Sequence, residues 1–115
     1  MADAQIDIKE KLTGKKAVIE LTGELDAKTT PALKAKLDEL ISKGIDSLLV
    51  DCTRLTYVAS AGIGALNAVL KALKDKGGKM ALSSLSKEVR DTMDLMFFTK
   101  RVNVYNTMAE GEKNL

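Results

Sequence analysis

Apolar and polar positions alternate at the start of the chain in a way that predicts two neighbouring strands. Ile6-Asp7-Ile8 has the two-residue period of a half-buried strand, and a second apolar run covers 17–22. The short link Leu12-Thr13-Gly14 lies between these runs. Because such a short link reverses the chain direction, the two strands are predicted to form an antiparallel hairpin.

The next block has the spacing of an amphipathic helix. Thr30-Pro31 is typical of a helix start, with Thr30 as the cap and Pro31 at the first helical position, where its missing N–H would have had no partner. Gly44 is predicted to end this helix. The residues that share the apolar face of this helix are Leu33, Leu37, Leu40 and Ile41.

The remaining blocks continue the alternation of strands and helices. Leu48-Leu49-Val50 is a continuous apolar run, which is typical of a central strand covered on both faces. A second helix, ending near Gly77-Gly78, has its apolar face at Ile63, Leu66, Leu70 and Leu73. A third helix, beginning after Ser84 or Ser86, is predicted to bury Val89, Met93 and Met96. Further strands are predicted at 80–82 and 102–105, and the tail from Thr107 to Leu115 either adds a short helix or frays.

This order of elements predicts an α/β fold. Strands that alternate with helices need crossover connections, which give parallel neighbours. We therefore expect a mostly parallel mixed sheet of about five strands, the first one antiparallel, with amphipathic helices packed on it. The 115 residues suit one domain covering 1–115, since domains most often contain about 100–150 residues.

The composition removes several classes of enzyme. The sequence contains no histidine and a single cysteine, Cys52. Ser-His-Asp and Cys-His machinery, a phosphohistidine relay and histidine metal sites are therefore unavailable, and no intrachain disulfide can form. No Walker motif or complete dinucleotide loop is present, so we predict no cofactor.

The charge distribution argues against nucleic acid and membrane partners. The sequence contains eighteen Lys and Arg residues and sixteen Asp and Glu residues, which gives a net charge of +2, and it has no long block of basic residues. Nucleic-acid binders usually show a clustered basic face with stacking aromatics. The polar start at 1–5 lacks the pattern of a signal peptide, and no apolar stretch reaches the ~20 residues of a membrane span. We therefore expect a cytoplasmic protein.

Ser60 is the strongest candidate for a functional residue. It lies between the central strand and the second helix, at the carboxyl end of a strand, where open α/β sheets place their sites. In one interpretation Ser60 is the N-cap of the second helix, where its side chain would stabilise the helix by about 1 kcal/mol. The other makes it a phosphorylation site, because the small neighbours Ala59, Ala61 and Gly62 leave the hydroxyl unshielded and a helix N-terminus favours an added phosphate.

Four segments of this sequence resemble those of STAS domains of bacterial anti-sigma factor antagonists, in order and at matching spacing along nearly the whole chain. They are Thr22-Gly23-Glu24-Leu25-Asp26, Leu49-Val50-Asp51, Ser60-Ala61-Gly62-Ile63-Gly64 and Gly77-Gly78-Lys79-Met80. In that family a T-G-E-L-D segment precedes the first helix, and a loop related to D-S-S-G-L-G carries the phosphorylated serine. The acceptor stands two residues before the first glycine, which is Ser60 here.

The resemblance implies a regulatory switch with no enzymatic activity of its own. The unphosphorylated form would bind an anti-sigma factor, often a serine kinase of the GHKL type, and so release a sigma factor. The kinase would phosphorylate Ser60 and end the binding, and a PP2C-like phosphatase would restore it. Asp26 and Glu24 would be acidic neighbours from the turn before the first helix. Gly62 would let the partner approach the backbone, and Ile63 would begin the packed face of the helix.

One departure from the family pattern concerns the acceptor loop. The family's aspartate before the acceptor is Ala59 here, and the second small polar position is Ala61. Loss of a carboxylate beside the serine changes what a kinase would recognise. An alternative is therefore a non-switching STAS scaffold or a subunit of a larger assembly, such as a transporter or sensory complex, in which Ser60 only caps its helix.

Two further hypotheses rest on other residues. Glu24, Asp26 or Cys52 would serve a small hydrolase or transferase, although a solvated turn and a buried structural thiol are the ordinary roles of such residues. Phe97 and Phe98 cannot both face inward from one helical stripe, so one of them is expected to be partly exposed and to contribute to a partner surface.

Overall fold

Five strands and four α-helices alternate along residues 5–115, the part of the chain that this computed structural model describes. In chain order they are β1 Ile6–Thr13, β2 Lys16–Leu25, α1 Thr30–Ser42, β3 Ser47–Val58, α2 Ser60–Asp75, β4 Lys79–Ser83, α3 Lys87–Leu95, a 3-10 turn at Phe98–Lys100, β5 Asn103–Tyr105 and α4 Met108–Lys113. Residues 1–4, most of the stretch that argues against a signal peptide, lie outside the described residues. No helix in the described part is long and apolar enough to cross a membrane.

The sheet has the predicted mixed topology. Its strand order is β1-β2-β3-β4-β5, with β1 antiparallel to β2 and each later pair parallel. The hairpin turns at Gly14, whose φ of +60° costs glycine nothing. The α/β fold with a central third strand is therefore confirmed, and the tail forms α4 instead of fraying.

The third strand is much longer than its apolar run predicts. Its first half, 47–51, pairs with both β2 and β4, and the residues from 48 to 52 are buried. Its second half pairs with β2 alone and buries only Leu55 and Val58 among its last residues. β2 and β3 therefore extend beyond the rest of the sheet as a two-stranded ribbon.

The main core is largely aliphatic and lies between the sheet and the helices α1, α2 and α3. The leucines predicted for α1 and the apolar face predicted for α2 are buried, while Ile41 packs at the edge of the core. Gly111 of α4 lies against Leu49, which is fully buried outside the main core cluster. The central strand is thus covered on both faces.

Two helix boundaries differ from the predictions. The cap position of α1 is Thr29 rather than Thr30, because Thr30 is already the first helical residue. Neither hydroxyl caps the helix, since that of Thr29 donates to the Glu24 carbonyl and that of Thr30 to the Asp26 carbonyl. Met96 is not on the buried face of α3. It follows the end of that helix and is 38% exposed, whereas Val89 and Met93 are buried.

One of the two adjacent phenylalanines is buried and the other is exposed, as predicted. Phe98 is fully buried, whereas Phe97 is 60% exposed in the left-handed conformation with φ of +61°. Ser86 caps α3, because its hydroxyl accepts a hydrogen bond from the N–H of Val89 at 3.2 Å.

Candidate functional site

The candidate site lies where the β2–β3 ribbon ends. Leu25 pairs with Val58 at the end of the parallel ladder, and the Ala59 N–H donates a 2.8 Å hydrogen bond to the Leu25 carbonyl. The turn before α1 and the start of α2 are therefore held side by side. Asp26 follows Leu25 directly, and Ser60 stands two residues after Val58.

Ser60 is the first helical residue and not the cap. Ala59 occupies the cap position in an extended conformation, with φ −100° and ψ 167°, and its carbonyl accepts from the N–H groups of Gly62 and Ile63. The capping interpretation of Ser60 is therefore wrong, because the ladder bond to Leu25 keeps Ala59 extended and moves the helix start by one residue. The serine is exposed and no side-chain cap bond forms at this helix end.

The small residues around Ser60 have different environments. Ala61 is exposed and Ala59 is half-buried, so neither shields the hydroxyl. Ile63 is fully buried and begins the packed face of α2, as predicted.

Gly62 and Gly64, the two glycines after Ser60, lie in different environments. Gly62 is buried, and a Cβ on it would stand 2.6 Å from Cγ of Leu25. The predicted approach of a partner to the Gly62 backbone is therefore wrong, because Leu25 of this same chain occupies that space. Gly64 is exposed with nothing near its missing side chain, so it is the glycine that leaves backbone open on the outside of the helix.

Asp26 organises the turn that leads into α1. Its Oδ1 accepts from the N–H groups of Lys28 at 2.9 Å and Thr29 at 3.0 Å, and the Thr29 hydroxyl also lies within hydrogen-bond distance. The N–H of Thr29 is the main reason why the pKa of Asp26 is lowered from the ordinary value of 3.8. A lowered pKa suits an ionised turn-forming carboxylate and does not suit a general base at neutral pH.

Asp26→Asn keeps the acceptor oxygen and removes only the charge, so it tests this turn. Because the folded-state pKa lies below the unfolded one, the ionised carboxylate stabilises the fold above about pH 4, and this contribution is lost as the pH falls through the folded pKa. We expect a melting temperature lower by a few degrees at neutral pH and a difference that shrinks toward zero on acidification. Thermal melts of both proteins between about pH 7 and pH 2 measure this. A difference that stayed constant across the range would contradict the assigned role.

Glu24 and Tyr57 form an exposed pair next to this turn. They lie opposite each other in the β2–β3 ladder, and Tyr57 is 50% exposed. No apolar or helical pattern in the sequence singles out Tyr57, although it stands three residues before Ser60 and belongs to the same segment once β3 extends that far. We call the exposed residues at this end of the ribbon the Ser60 surface, defined as Glu24, Tyr57, Ser60, Ala61 and Gly64.

Cys52 is the buried thiol that the sequence predicts. It is 1% exposed, and burial, followed by the charge of the adjacent Asp51, raises its pKa to about 12. A thiol with so little thiolate and so little access is a poor nucleophile. No cluster of three or more Asp, Glu or Cys able to hold a metal ion occurs within residues 5–115.

Known proteins are similar to this chain in sequence and in fold. A Listeria monocytogenes protein named anti-sigma-B factor antagonist is 28% identical over 109 residues, which cover 95% of this chain and 93% of the relative. The anti-sigma factor antagonist SpoIIAA of Bacillus, solved unphosphorylated, has a TM-score of 0.83 at 22% identity over 96% of this chain and 95% of that one. Its phosphorylated form has a TM-score of 0.74 at 20% identity, with 96% and 98% covered.

The fold also occurs beyond these antagonists. A sulfate transporter family protein from Wolinella succinogenes has a TM-score of 0.73 at 17% identity, over 86% of this chain and 83% of that one. The family profile of the STAS domain matches residues 5–111, nearly the whole described chain. Together with the alternating fold and the ribbon that carries Ser60, this match shows that the chain belongs to the STAS domain family.

Proposed function

We propose that this protein is an anti-sigma factor antagonist switched by phosphorylation of Ser60. The unphosphorylated form binds an anti-sigma factor through the Ser60 surface and so frees a sigma factor. The observation that carries the proposal is the exposed serine at the start of α2, which does not cap its helix. Relatives named as anti-sigma factor antagonists over most of the chain support it.

The electrostatics of the site favour a switch in binding over a switch in folding. A phosphoserine carries a charge of about −1.5 to −2, and the N-terminus of α2 stabilises such a charge by roughly 0.3–1 kcal/mol. The domain therefore tolerates the phosphate. A partner packed on Ser60 would instead have to desolvate that charge, at a cost of several kcal/mol.

The two enzymes of the switch come from outside this chain. The sequence has no histidine, Cys52 is buried, and Asp26 is engaged by its own turn. None of these groups is placed to activate the Ser60 hydroxyl. We therefore assign the phosphate transfer to an anti-sigma factor that is a serine kinase of the GHKL type, and its removal to a PP2C-like phosphatase.

The test is phosphate transfer by the anti-sigma kinase of the same organism. Incubation of the full chain with that kinase and ATP should add one phosphate, seen in the intact mass and mapped to Ser60 by fragmentation. Ser60→Ala should bind the kinase and stay unmodified. Binding of the kinase with no phosphate on Ser60 would contradict the switch while leaving the antagonist function in place.

A non-switching scaffold or assembly subunit is the second hypothesis. Ala59, where the family has an aspartate, is the observation that favours it, and the fold is shared with a sulfate transporter family protein. This hypothesis predicts stable co-purification with assembly subunits and an unmodified Ser60. Mass spectrometry of the protein purified from its native cells separates the two functions.

A further inference from the structure

The first strand leaves one edge of the sheet open. β1 pairs with β2 on one side and, among residues 5–115, has no strand on the other. Six of its eight residues are exposed, which is a long free edge for a small domain. An open edge of this kind presents a row of backbone donors and acceptors that can pair with another strand.

The backbone groups on the open side belong to alternate residues. The Gln5 carbonyl accepts from the Glu24 N–H at 3.0 Å, so the backbone of Gln5 faces β2. In an antiparallel ladder the N–H and C=O of one residue point the same way and alternate along the strand. The residues whose backbone groups face outward are therefore Ile6, Ile8, Glu10 and Leu12.

We infer that a second copy of this chain pairs with β1 edge to edge in antiparallel orientation, which is an interaction beyond the proposed switch. The sequence of β1 is complementary to itself when the two-fold axis passes through Lys9. Asp7 then lies opposite Lys11 of the second copy, and Ile6 lies opposite Leu12 of the second copy. The symmetry makes each of these contacts twice.

The hydrogen-bond pattern agrees with this register. Ile6, Ile8, Glu10 and Leu12 fall at the hydrogen-bonded positions, which are the ones whose backbone groups are open. Asp7 and Lys11 fall at non-hydrogen-bonded positions, where opposite Cα atoms approach to about 4.5 Å and side chains interact most closely. The ionic pair is thus at the position that favours contact between side chains.

The apolar side of the junction continues the core of each copy. Ile6 and Ile8 already pack at the edge of that core, and Leu12 is 47% exposed. Antiparallel pairing places Leu12 against Ile6 of the second copy on the same face of the sheet. The contact therefore covers an exposed leucine.

The register through Lys9 is distinguished by charge and apolar contact together. Lysine on an edge strand ordinarily discourages pairing with arbitrary strands. In this register Lys11 meets Asp7 of the second copy on both sides of the axis, whereas Lys9 on the axis lies opposite Lys9 of the second copy and Ile8 lies opposite Glu10. Sliding by two residues in one direction places Lys9 opposite Lys11 and Glu10 opposite Glu10. Sliding in the other direction pairs Asp7 with Lys9 but shortens the pairing to 6–10 and leaves Leu12 uncovered. Only the register through Lys9 combines the Asp7–Lys11 pairs with cover for Leu12.

Charge reversal tests the pairing. One strand edge buries less than the ~1,600 Å² of a standard interface, so dimerisation is expected at roughly 10–100 µM or weaker. In sedimentation velocity, the mass should rise from 12.4 kDa toward twice that value with concentration. Asp7→Lys and Lys11→Asp should each weaken dimerisation about 10-fold or more, since each places like charges opposite each other, and the double variant should restore it to within about 3-fold.

Recovery of dimerisation in the double variant can be explained only by a contact between two copies of the chain. Asp7 and Lys11 are four residues apart on one strand, about 13 Å, so they cannot pair within one copy. Lys71→Asp and Asp75→Lys, equal charge reversals four residues apart on exposed positions of α2, should leave dimerisation unchanged. Amide exchange of Ile8 and Glu10 should slow at high concentration, while that of Lys9, already bonded to β2, should not. A monomer at every concentration, unaffected single variants or failure of the double variant to recover would each overturn the proposal.

Discussion

Ser60→Asp is expected to weaken binding to the anti-sigma factor by about 100-fold while the melting temperature stays within a few degrees of the native value. The binding loss follows from burying a carboxylate under a partner that packs on the exposed serine. The fold is spared because the charge lies at the N-terminus of α2, where the helix dipole favours it. Isothermal titration with the anti-sigma factor and a thermal melt of the free protein measure the two effects.

Two further serine variants make this result specific. Ser60→Ala removes the hydroxyl without adding charge, so it should bind within about 3-fold of the native protein. Ser86→Asp makes the same chemical change at the start of α3, where aspartate is as good a cap as serine. It should affect neither binding nor stability. An unchanged affinity of Ser60→Asp would show that the serine lies outside the interface.

The packing elements could be predicted because their apolar residues follow one simple period. The face of α2 recurs at helical spacing, and the run Leu48-Leu49-Val50 is apolar on both sides. Each such pattern places its apolar residues on a defined face of one type of element, so the order of strands and helices, and from it the mixed sheet, can be predicted.

The ribbon could not be predicted because its pattern is irregular. The β2–β3 register shifts between Glu20 and Thr22 and again between Gly23 and Glu24, so the buried positions of late β3 do not alternate. Leu55 and Val58 are three residues apart, which resembles neither a regular strand nor a long helix. The position of Ser60 was therefore predicted one residue away from its actual place in the helix.

These irregularities are what place the candidate site beyond the rest of the sheet. After Asp51, β3 no longer has β4 beside it, and the ribbon carries Tyr57 and Ser60 outward. The Asp26 turn is attached to the same end through the Ala59 N–H and the Leu25 carbonyl. A partner can therefore contact two segments that are far apart in sequence and hydrogen-bonded side by side in space.

Gly62→Ala is expected to destabilise the protein by about 2 kcal/mol, and this loss should depend on Leu25. The new methyl group would stand 2.6 Å from Leu25 Cγ and 2.7 Å from its Cδ2, in a core where that leucine is fully buried. Overpacking of this kind costs about 1–3 kcal/mol, and the gain of up to ~1 kcal/mol from alanine in a helix offsets part of it. Chemical denaturation of Gly62→Ala, Leu25→Ala and the double variant should show that the second substitution removes most of the cost of the first.

Gly64→Ala is the same substitution two residues later, and its effect on stability is expected to have the opposite sign. Comparison of the two variants distinguishes a glycine required by internal packing from one required for contact with a partner. Nothing lies near the missing side chain of Gly64, so alanine should stabilise α2 by about 0.5–1 kcal/mol. If the partner packs on the open backbone of the Ser60 surface, the same methyl group should weaken anti-sigma factor binding by about 10-fold or more. A variant that is more stable yet binds less well can be explained only by contact with the partner, whereas equal destabilisation of both glycine variants would contradict the packing around Leu25.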